Sequence, residues 1–295
     1  MSFPDYSFES HYATVKDLRI HYLDEGPRTA AAVVMLHGNP SWSFYYRHLV
    51  SALSEEYRCI VPDHIGMGLS DKPAAADYDF GLDRRVDDLD AFLDKLSLGD
   101  DITLVVHDWG GMIGMTWASR YPDRIKRLVI LNTAAFHLPA GRHIPWQLKL
   151  SRVPLINSIL NQGYNAFARG AVKHCVTRHP MPADVAAAYL APYDSWANRL
   201  AVRKFVEVIP LVPGDSGFDT VSEVDDKLQQ FADLPMLICW GMKDFVFDRY
   251  FLDEWVKRFP RATVHRFEDA GHYILEDAAE DVIPLVKDFM LESGT

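Results

Sequence analysis

The sequence contains few of the features that mark secreted or metal-binding proteins. Only three of its 295 residues are cysteines, and Cys59, Cys175 and Cys239 stand far apart along the chain. An odd number of isolated cysteines is typical of buried thiols that stay reduced, so we expect a cytoplasmic protein. No group of cysteines and histidines has the spacing of a zinc site, and we expect neither a metal nor a cofactor.

Long apolar runs and positive charge are also scarce. No stretch of about 18 apolar residues occurs, so we expect no membrane span. Residues 1–11 include acidic side chains and lack the cationic-then-apolar order of a signal peptide, so we expect none. The 30 Lys and Arg residues are outnumbered by 41 Asp and Glu, which gives a net charge of −11. Because nucleic-acid binding needs a basic surface, we expect no nucleic-acid partner.

Short apolar strands alternate with helices in residues 1–134 and 221–295. Buried strands are predicted at residues 31–36, 59–61, 102–106, 128–131, 236–240 and 263–267, after an early hairpin at 14–17 and 19–23. Helices are predicted at residues 42–54, 82–96, 112–118 and 281–291. This alternation predicts an α/β fold with a mostly parallel sheet flanked by helices on both faces.

The pattern changes between residues 135 and 220. Many prolines break this segment into short helical pieces without a clear strand. It is rich in aromatic residues: Trp146, Tyr164, Phe167, Tyr189, Tyr193, Trp196 and Phe205. We predict a helical cap domain at 135–220, inserted into a discontinuous core domain of residues 1–134 and 221–295. Substrate-binding residues are expected within the cap, above the strand ends.

Asp108 lies between a predicted strand and a helix that opens with Gly110 and Gly111. A residue on such a sharp turn is typical of the nucleophile elbow of α/β-hydrolases. A carboxylate at this point can attack an electrophilic carbon and form an enzyme ester. The alternative is a structural aspartate that favours the start of the helix. The elbow predicts a nucleophile for substrates with a strained or good leaving group.

Two further residues complete the order nucleophile, acid and histidine that hydrolases use. Asp244 and His272 each follow a predicted strand, as Asp108 does. We predict that His272 is the base that activates water, and that Asp244 orients its imidazole and stabilises the charged form. For His272 alone, a surface-loop residue is the alternative interpretation.

Asn39 and Trp109 are candidates for stabilising negative charge. Asn39 lies in the His-Gly-Asn-Pro loop after a strand, and Trp109 follows Asp108. A backbone N–H from this loop and that of Trp109 would form an oxyanion hole. The two side-chain N–H groups would stabilise a departing halide or a carboxylate. Alternatively, Asn39 is a loop residue and Trp109 a core aromatic.

These motifs together resemble the haloalkane dehalogenases over nearly the whole chain. The motifs are His-Gly-Asn-Pro at 37–40, Gly-Met-Gly-Leu-Ser-Asp at 66–71, His-Asp-Trp-Gly-Gly at 107–111, Trp-Gly-Met-Lys-Asp at 240–244 and Gly-His at 271–272. Epoxide hydrolases share the third motif, but they usually have a bulky apolar residue in place of Asn39. Fluoroacetate dehalogenases usually have arginine in place of Trp109. Asn132 stands where one dehalogenase subfamily has its acid, so the acid should be Asp244. Another subfamily binds the halide with two tryptophans, whereas Asn39 and Trp109 with Asp244 resemble the third subfamily.

Many members of that subfamily resemble β-lactone decarboxylases of long-chain olefin biosynthesis. Four runs match this group, two of them in the predicted cap, at residues 131–136, 165–170, 191–199 and 270–273. The resemblance implies conversion of a cis-3,4-dialkyl β-lactone, a small hydrophobic substrate, into a cis-olefin and carbon dioxide. It also implies assembly with other enzymes of the olefin pathway. Asp108 could attack the lactone either at the carbonyl carbon or at the ring carbon.

Three other functions are compatible with the sequence. A haloalkane dehalogenase would use the same residues to hydrolyse haloalkanes to alcohol and halide. An epoxide hydrolase would need two cap tyrosines above Asp108, for which Tyr164, Tyr189 and Tyr193 are the candidates. A ligand-binding protein without activity would keep the fold alone.

Overall fold

The computed structural model describes residues 3–143 and 153–292, and an eight-stranded sheet runs through its centre. The strand order is β1-β2-β4-β3-β5-β6-β7-β8. Strand β2 pairs antiparallel with β1 and β4, and the other neighbours are parallel. The strands are β1 His11–Val15, β2 Leu18–Glu25, β3 Ala32–Leu36, β4 Arg58–Pro62, β5 Ile102–Asp108, β6 Ile125–Thr133, β7 Met236–Gly241 and β8 Thr263–Phe267. The predicted mostly parallel sheet and the early hairpin are confirmed.

Helices cover both faces of the sheet, so its central strands contain few polar residues. Every residue of β3, β4 and β5 is buried, which explains their continuous apolar runs. The helices that pack on the sheet domain are α1 Arg47–Leu53, α2 Leu82–Asp94, α3 Trp109–Arg120, α8 Phe218–Lys227, α9 Arg249–Arg258, α10 Ile274–Asp277 and α11 Ala279–Glu292. The predicted helix at 42–54 begins as a 3-10 turn, Ser43–Tyr46, that leads into α1.

Short helices make up the described part of the predicted cap. They are α4 Pro154–Asn157, a π-helical turn Ser158–Gly163, α5 Ala166–His174, α6 Ala183–Leu190, two 3-10 turns Ala191–Tyr193 and Ala197–Arg199, and α7 Leu200–Glu207. No strand occurs in residues 135–143 or 153–220, as the prolines predict. Trp146 lies outside the described residues. Position 220 falls inside α8, which packs on α3 of the core, so we propose that the cap ends before Phe218.

The sheet and the cap share their apolar interior. Val202 and Phe205 of α7 belong to the same buried cluster as Leu36 of β3 and Val106 of β5. All three cysteines are buried and unpaired, and burial raises the pKa of Cys59 and Cys239 to about 12. Within the two described ranges, no helix combines the length and apolar character needed to cross a membrane.

Candidate active site

A strained turn holds Asp108 at the carboxyl end of β5, with α3 beginning at the next residue. Its φ of +50° lies in the left-handed region, which side chains rarely adopt. The turn is closely packed, because a Cβ on Gly110 would overlap the Leu36 carbonyl oxygen and one on Gly111 would overlap the Thr133 hydroxyl. The Asp108 side chain makes no capping hydrogen bond to α3, which disfavours the helix-cap alternative.

The two carboxylate oxygens of Asp108 have different surroundings. Oδ1 accepts the backbone N–H of Asn39 at 2.6 Å, whereas Oδ2 lies 3.6 Å from Nε2 of His272. The hydroxyl of Thr133 donates to the Asp108 backbone carbonyl and fixes the turn from below. One oxygen is therefore held by a backbone amide, while the other faces the histidine.

His272 is oriented by Asp244, as the chain order predicts. Its Nδ1 lies 2.7 Å from Oδ2 of Asp244, and both side chains are buried. The other oxygen of Asp244 accepts the backbone N–H groups of Val246 at 2.7 Å and Phe247 at 3.1 Å. With Nδ1–H bonded to Asp244, Nε2 of His272 is directed towards Asp108.

Burial and charge shift the pKa of both members of the Asp108–His272 pair. Burial raises the pKa of Asp108, although His272 and the N–H groups of Asn39 and Trp109 oppose this shift. Burial lowers the pKa of His272, but the carboxylates of Asp244 and Asp108 outweigh it and leave the pKa above its usual value. The site therefore favours a protonated imidazole beside a carboxylate that is costly to ionise.

Asn132 is a site residue that the sequence did not identify as one. Its Nδ2 donates to Oδ2 of Asp244 at 3.0 Å and to the Gly241 carbonyl at 3.1 Å. Its Oδ1 accepts the Gly241 N–H at 2.8 Å, so the amide links the ends of β6 and β7. In the sequence, position 132 is distinguished only by the absence of the acid that one dehalogenase subfamily has there. Its contacts depend on residues more than a hundred positions away, which no local pattern reveals.

Helix α7 of the cap lies over the predicted charge-stabilising residues. The Asn39 side-chain N–H donates to the Val202 carbonyl at 3.1 Å, and the Trp109 ring packs edge-on against Phe205 at 5.0 Å. Asn39 and Trp109 therefore lie together beneath α7. Oδ1 of Asn39 is buried and has no hydrogen-bond partner among the described residues.

His37 and His107 are buried histidines that flank the site. Burial lowers the pKa of His37, and it lowers that of His107 further, with a contribution from His272. His37 Nδ1 bonds the Gly38 carbonyl at 2.7 Å, and its Nε2 accepts the His64 N–H. His107 Nε2 donates to the His272 carbonyl at 2.9 Å. Both rings brace the loops that carry Asn39 and His272.

The cap tyrosines are not arranged as epoxide hydrolysis requires. Tyr164 is 69% exposed, and the Tyr189 hydroxyl donates to Glu276 at 2.5 Å. The Tyr193 hydroxyl contacts the Gly68 N–H and the Ser41 carbonyl, each at 3.4 Å. No tyrosine hydroxyl in the described ranges donates to Asp108. Gly68 has a φ of +47°.

Comparison with known proteins places these features in a family. Residues 31–279 match the model of the alpha/beta hydrolase fold. The cis-3-alkyl-4-alkyloxetan-2-one decarboxylase of Shewanella oneidensis is 54% identical, covering 98% of this chain and 90% of that protein. The protein of the same name from Xanthomonas campestris pv. campestris is 48% identical, covering 98% of each chain.

Haloalkane dehalogenases are more distant relatives. The haloalkane dehalogenase of Mycolicibacterium paratuberculosis is 31% identical, covering 94% of this chain and 91% of that protein. The solved structure of haloalkane dehalogenase DbeA from Bradyrhizobium elkani superimposes with a TM-score of 0.85 over 98% of this chain and 99% of that one. Its sequence is 24% identical, so this likeness establishes the shared fold.

Proposed function

Because this chain belongs to the α/β-hydrolase family and is homologous to cis-3-alkyl-4-alkyloxetan-2-one decarboxylases, we propose that it converts cis-3,4-dialkyl β-lactones into cis-olefins and carbon dioxide. The observation that carries the proposal is the buried Asp108 carboxylate, one oxygen of which is held by Asn39 while the other faces His272. A carboxylate so placed is a nucleophile for a strained ring.

We infer that Oδ2 of Asp108 attacks the ring carbon that carries the ring oxygen. The C–O bond of the lactone breaks, an ester to Asp108 forms, and the ring carboxyl becomes a free carboxylate. Loss of carbon dioxide from that carboxylate then forms the C=C bond and expels Asp108 as a carboxylate. Attack at the carbonyl would instead leave an alkoxide to be expelled, which is a much poorer leaving group. The cycle consumes no water.

The proposed route also accounts for a cis product. Attack at the ring carbon inverts that centre and places the new ester opposite the carboxylate in the reactive conformer. Loss of carbon dioxide with the two groups opposed then keeps both alkyl chains on one side. His272 supports the expulsion step, because its protonated Nε2 faces Oδ2, where negative charge returns.

The cap supplies the surface for the alkyl chains in this proposal. Val202 and Phe205 of α7 lie over Asn39 and Trp109. Burial of each CH₂ group of the substrate contributes about 0.8 kcal/mol, so long chains bind through apolar contact alone. Asn39 and Trp109 would stabilise the freed carboxylate of the opened ring.

Haloalkane dehalogenation is the second candidate, since the same nucleophile would displace a halide. The observation that favours it is the adjacency of Asn39 and Trp109, whose N–H groups would solvate the halide. The alkyl ester on Asp108 would then need water, with neutral His272 as the base. The lower identity to the dehalogenase relative ranks this reaction second.

A side-by-side assay separates the two candidates. Purified protein is incubated with a long-chain cis-β-lactone or with 1-bromobutane. Olefin is measured by gas chromatography, and dehalogenation is measured as the bromide ion released. We expect fast olefin formation and slow or no bromide release. Fast bromide release without olefin would make the protein a haloalkane dehalogenase.

His272→Ala tests the division of labour between attack and hydrolysis. If the protein reacts with bromoalkanes at all, this variant should accumulate an alkyl adduct on Asp108, because attack needs no base and hydrolysis does. Intact-protein mass spectrometry would detect it, and an unmodified mass despite bromide release would contradict the ester intermediate. Olefin formation should fall but persist.

We further propose that the protein works in the cytoplasm, where its free buried thiols stay reduced. Assembly with other olefin-pathway enzymes stays a prediction from the family resemblance.

A further inference from the structure

We propose that Asp277 is a positioning residue that fastens the His272 loop to the cap. This inference rests on the proposed role of His272 and concerns what holds that side chain in register. Asp277 ends α10, the single helical turn that follows His272 and Tyr273, and its side chain is buried. It contacts neither Asp108 nor Asp244 by any hydrogen bond among the described residues.

The Asp277 carboxylate bonds both the loop and the cap. Its Oδ2 accepts the Gly271 N–H at 2.6 Å, directly before His272. On the other side, the backbone N–H groups of Thr177 and Arg178 donate to it at 2.9 to 3.1 Å, and the Thr177 hydroxyl at 3.2 Å. One carboxylate therefore satisfies donors from two chain segments that are almost a hundred residues apart.

The loop between these anchors packs closely against its neighbours. A Cβ on Gly271 would meet the Cys175 carbonyl oxygen at 2.6 Å, while the Gly271 carbonyl packs against Gly241. The Tyr273 N–H donates to the same Cys175 carbonyl at 2.8 Å. The residues on either side of His272 are therefore both connected to the cap segment that follows α5: Tyr273 directly, and Gly271 through Asp277.

Glu276, the neighbour of Asp277, makes a parallel connection. It accepts Arg47 of α1 at 2.5 and 2.9 Å and the Tyr189 hydroxyl of α6 at 2.5 Å. The Tyr189 ring also stacks on Tyr273 at 5.2 Å. Cap and His272 loop are joined at two adjacent carboxylates, and Asp277 is the one bonded next to the histidine.

Replacing Asp277 with asparagine should loosen this joint. An amide offers a single acceptor oxygen and turns its NH₂ group towards N–H donors. The Gly271 loop would then drift, and the bond between His272 Nδ1 and Asp244 would weaken. Displacing a catalytic group by about 1 Å can lower the reaction rate a hundredfold. We therefore expect the rate of olefin formation in Asp277→Asn to fall about tenfold or more.

The His272 titration is the readout that a merely structural role would not move. The groups facing His272 are Asp108 and His107 of β5, Asp244 after β7, and the neighbouring Tyr273. Of these, the two carboxylates raise the His272 pKa. If Asp277→Asn weakens the Asp244 bond, that pKa should fall by about 0.5 or more.

Asp281→Asn is the matched control. Asp281 accepts Nη1 of Arg178 at 2.6 Å, so it also joins the cap to the core, but it is half-exposed and is not bonded to Gly271. The His272 pKa would be measured by NMR of the ring carbons in the free protein, with His272→Gln for assignment. We expect a lower pKa in Asp277→Asn and the wild-type pKa in Asp281→Asn.

Thr177→Val covers the case in which Asp277→Asn fails to fold. It removes only the hydroxyl that bonds Asp277 and the Asp269 carbonyl, and should lower the His272 pKa in the same direction by less. An unchanged pKa in the folded variants, or an equal fall in Asp281→Asn, would overturn the inference. Because the titration needs no substrate, it stands even if the wild-type protein forms no olefin, an outcome that would refute the proposed function alone.

Discussion

Replacing the Asp108 carboxylate with an amide should make the protein more stable. The pKa of Asp108 is raised by burial, so the folded protein bears a cost for the ionised group above that pKa. Asp108→Asn removes the cost, and we expect the free energy of unfolding at pH 8 to rise by about 1 kcal/mol. The gain should disappear at pH values below the usual pKa of an aspartate, where the carboxyl is neutral in both states. Urea unfolding at the two pH values measures this difference in the free energy of unfolding. A less stable Asp108→Asn variant at pH 8 would contradict the raised pKa of Asp108.

The raised pKa of His272 should affect the two candidate reactions differently. Hydrolysis of an alkyl ester on Asp108 needs a neutral imidazole, so bromide turnover should fall as the pH drops through the His272 pKa. The proposed decarboxylation works with the protonated form and needs only an ionised Asp108. We therefore expect olefin formation to persist to lower pH, until Asp108 itself is protonated. Identical pH–rate profiles for kcat with both substrates would argue against the water-free route.

The elbow between β5 and α3 depends on a glycine that no side chain can replace. A Cβ on Gly110 would overlap the backbone carbonyl oxygen of Leu36, which cannot move without shifting β3. We expect Gly110→Ala to destabilise the protein by at least about 3 kcal/mol.

Gly170→Ala is the matched control for that substitution. Gly170 lies within α5, and a Cβ there meets no atom within 4 Å. Alanine should stabilise this helix by about 0.5–1 kcal/mol. Thermal unfolding compares the two variants, and equal effects would mean that the packing at the elbow is looser than described.

The elements of the sheet could be predicted more fully than those around them. Strands β3 to β7 are short apolar runs buried on both faces, a signal that lies within each segment. The 3-10 turn before α1 and the π-helical turn in the cap were not predicted, because tertiary packing decides how a short helix winds. The predicted cap boundary at 220 falls inside α8, and the boundary that we propose before Phe218 rests on the packing of α8 on α3, which composition does not reveal.

At the scale of the whole molecule, the approach of Asp108, Asp244 and His272 follows from topology. Asp108 is the last residue of β5, Asp244 follows β7 and His272 follows β8, and the carboxyl ends of these parallel strands lie at one edge of the sheet. Asn132 and Asp277 could not be recognised in the same way. Their hydrogen bonds join segments about a hundred residues apart, and a hydrogen-bond partner has no signature in the local sequence.

The predicted cap and the core pack together beside the candidate site. Phe205 of α7 contacts Trp109 beside Asp108, and Tyr189 of α6 stacks on Tyr273 beside His272. If the cap holds the alkyl chains, as we propose, a cap variant that alters their space should also shift Asn39 and Trp109. Chain-length preference and rate should vary together in cap variants.

Olefin formation by wild-type protein and Asp108→Asn tests the central claim most directly. Both proteins receive a long-chain cis-3,4-dialkyl β-lactone at pH 8, and the cis-olefin is quantified by gas chromatography. We predict rapid cis-olefin formation by the wild type and a loss of at least about a thousandfold in the variant, despite its intact fold. Undiminished olefin formation by folded Asp108→Asn would contradict nucleophilic attack by Asp108.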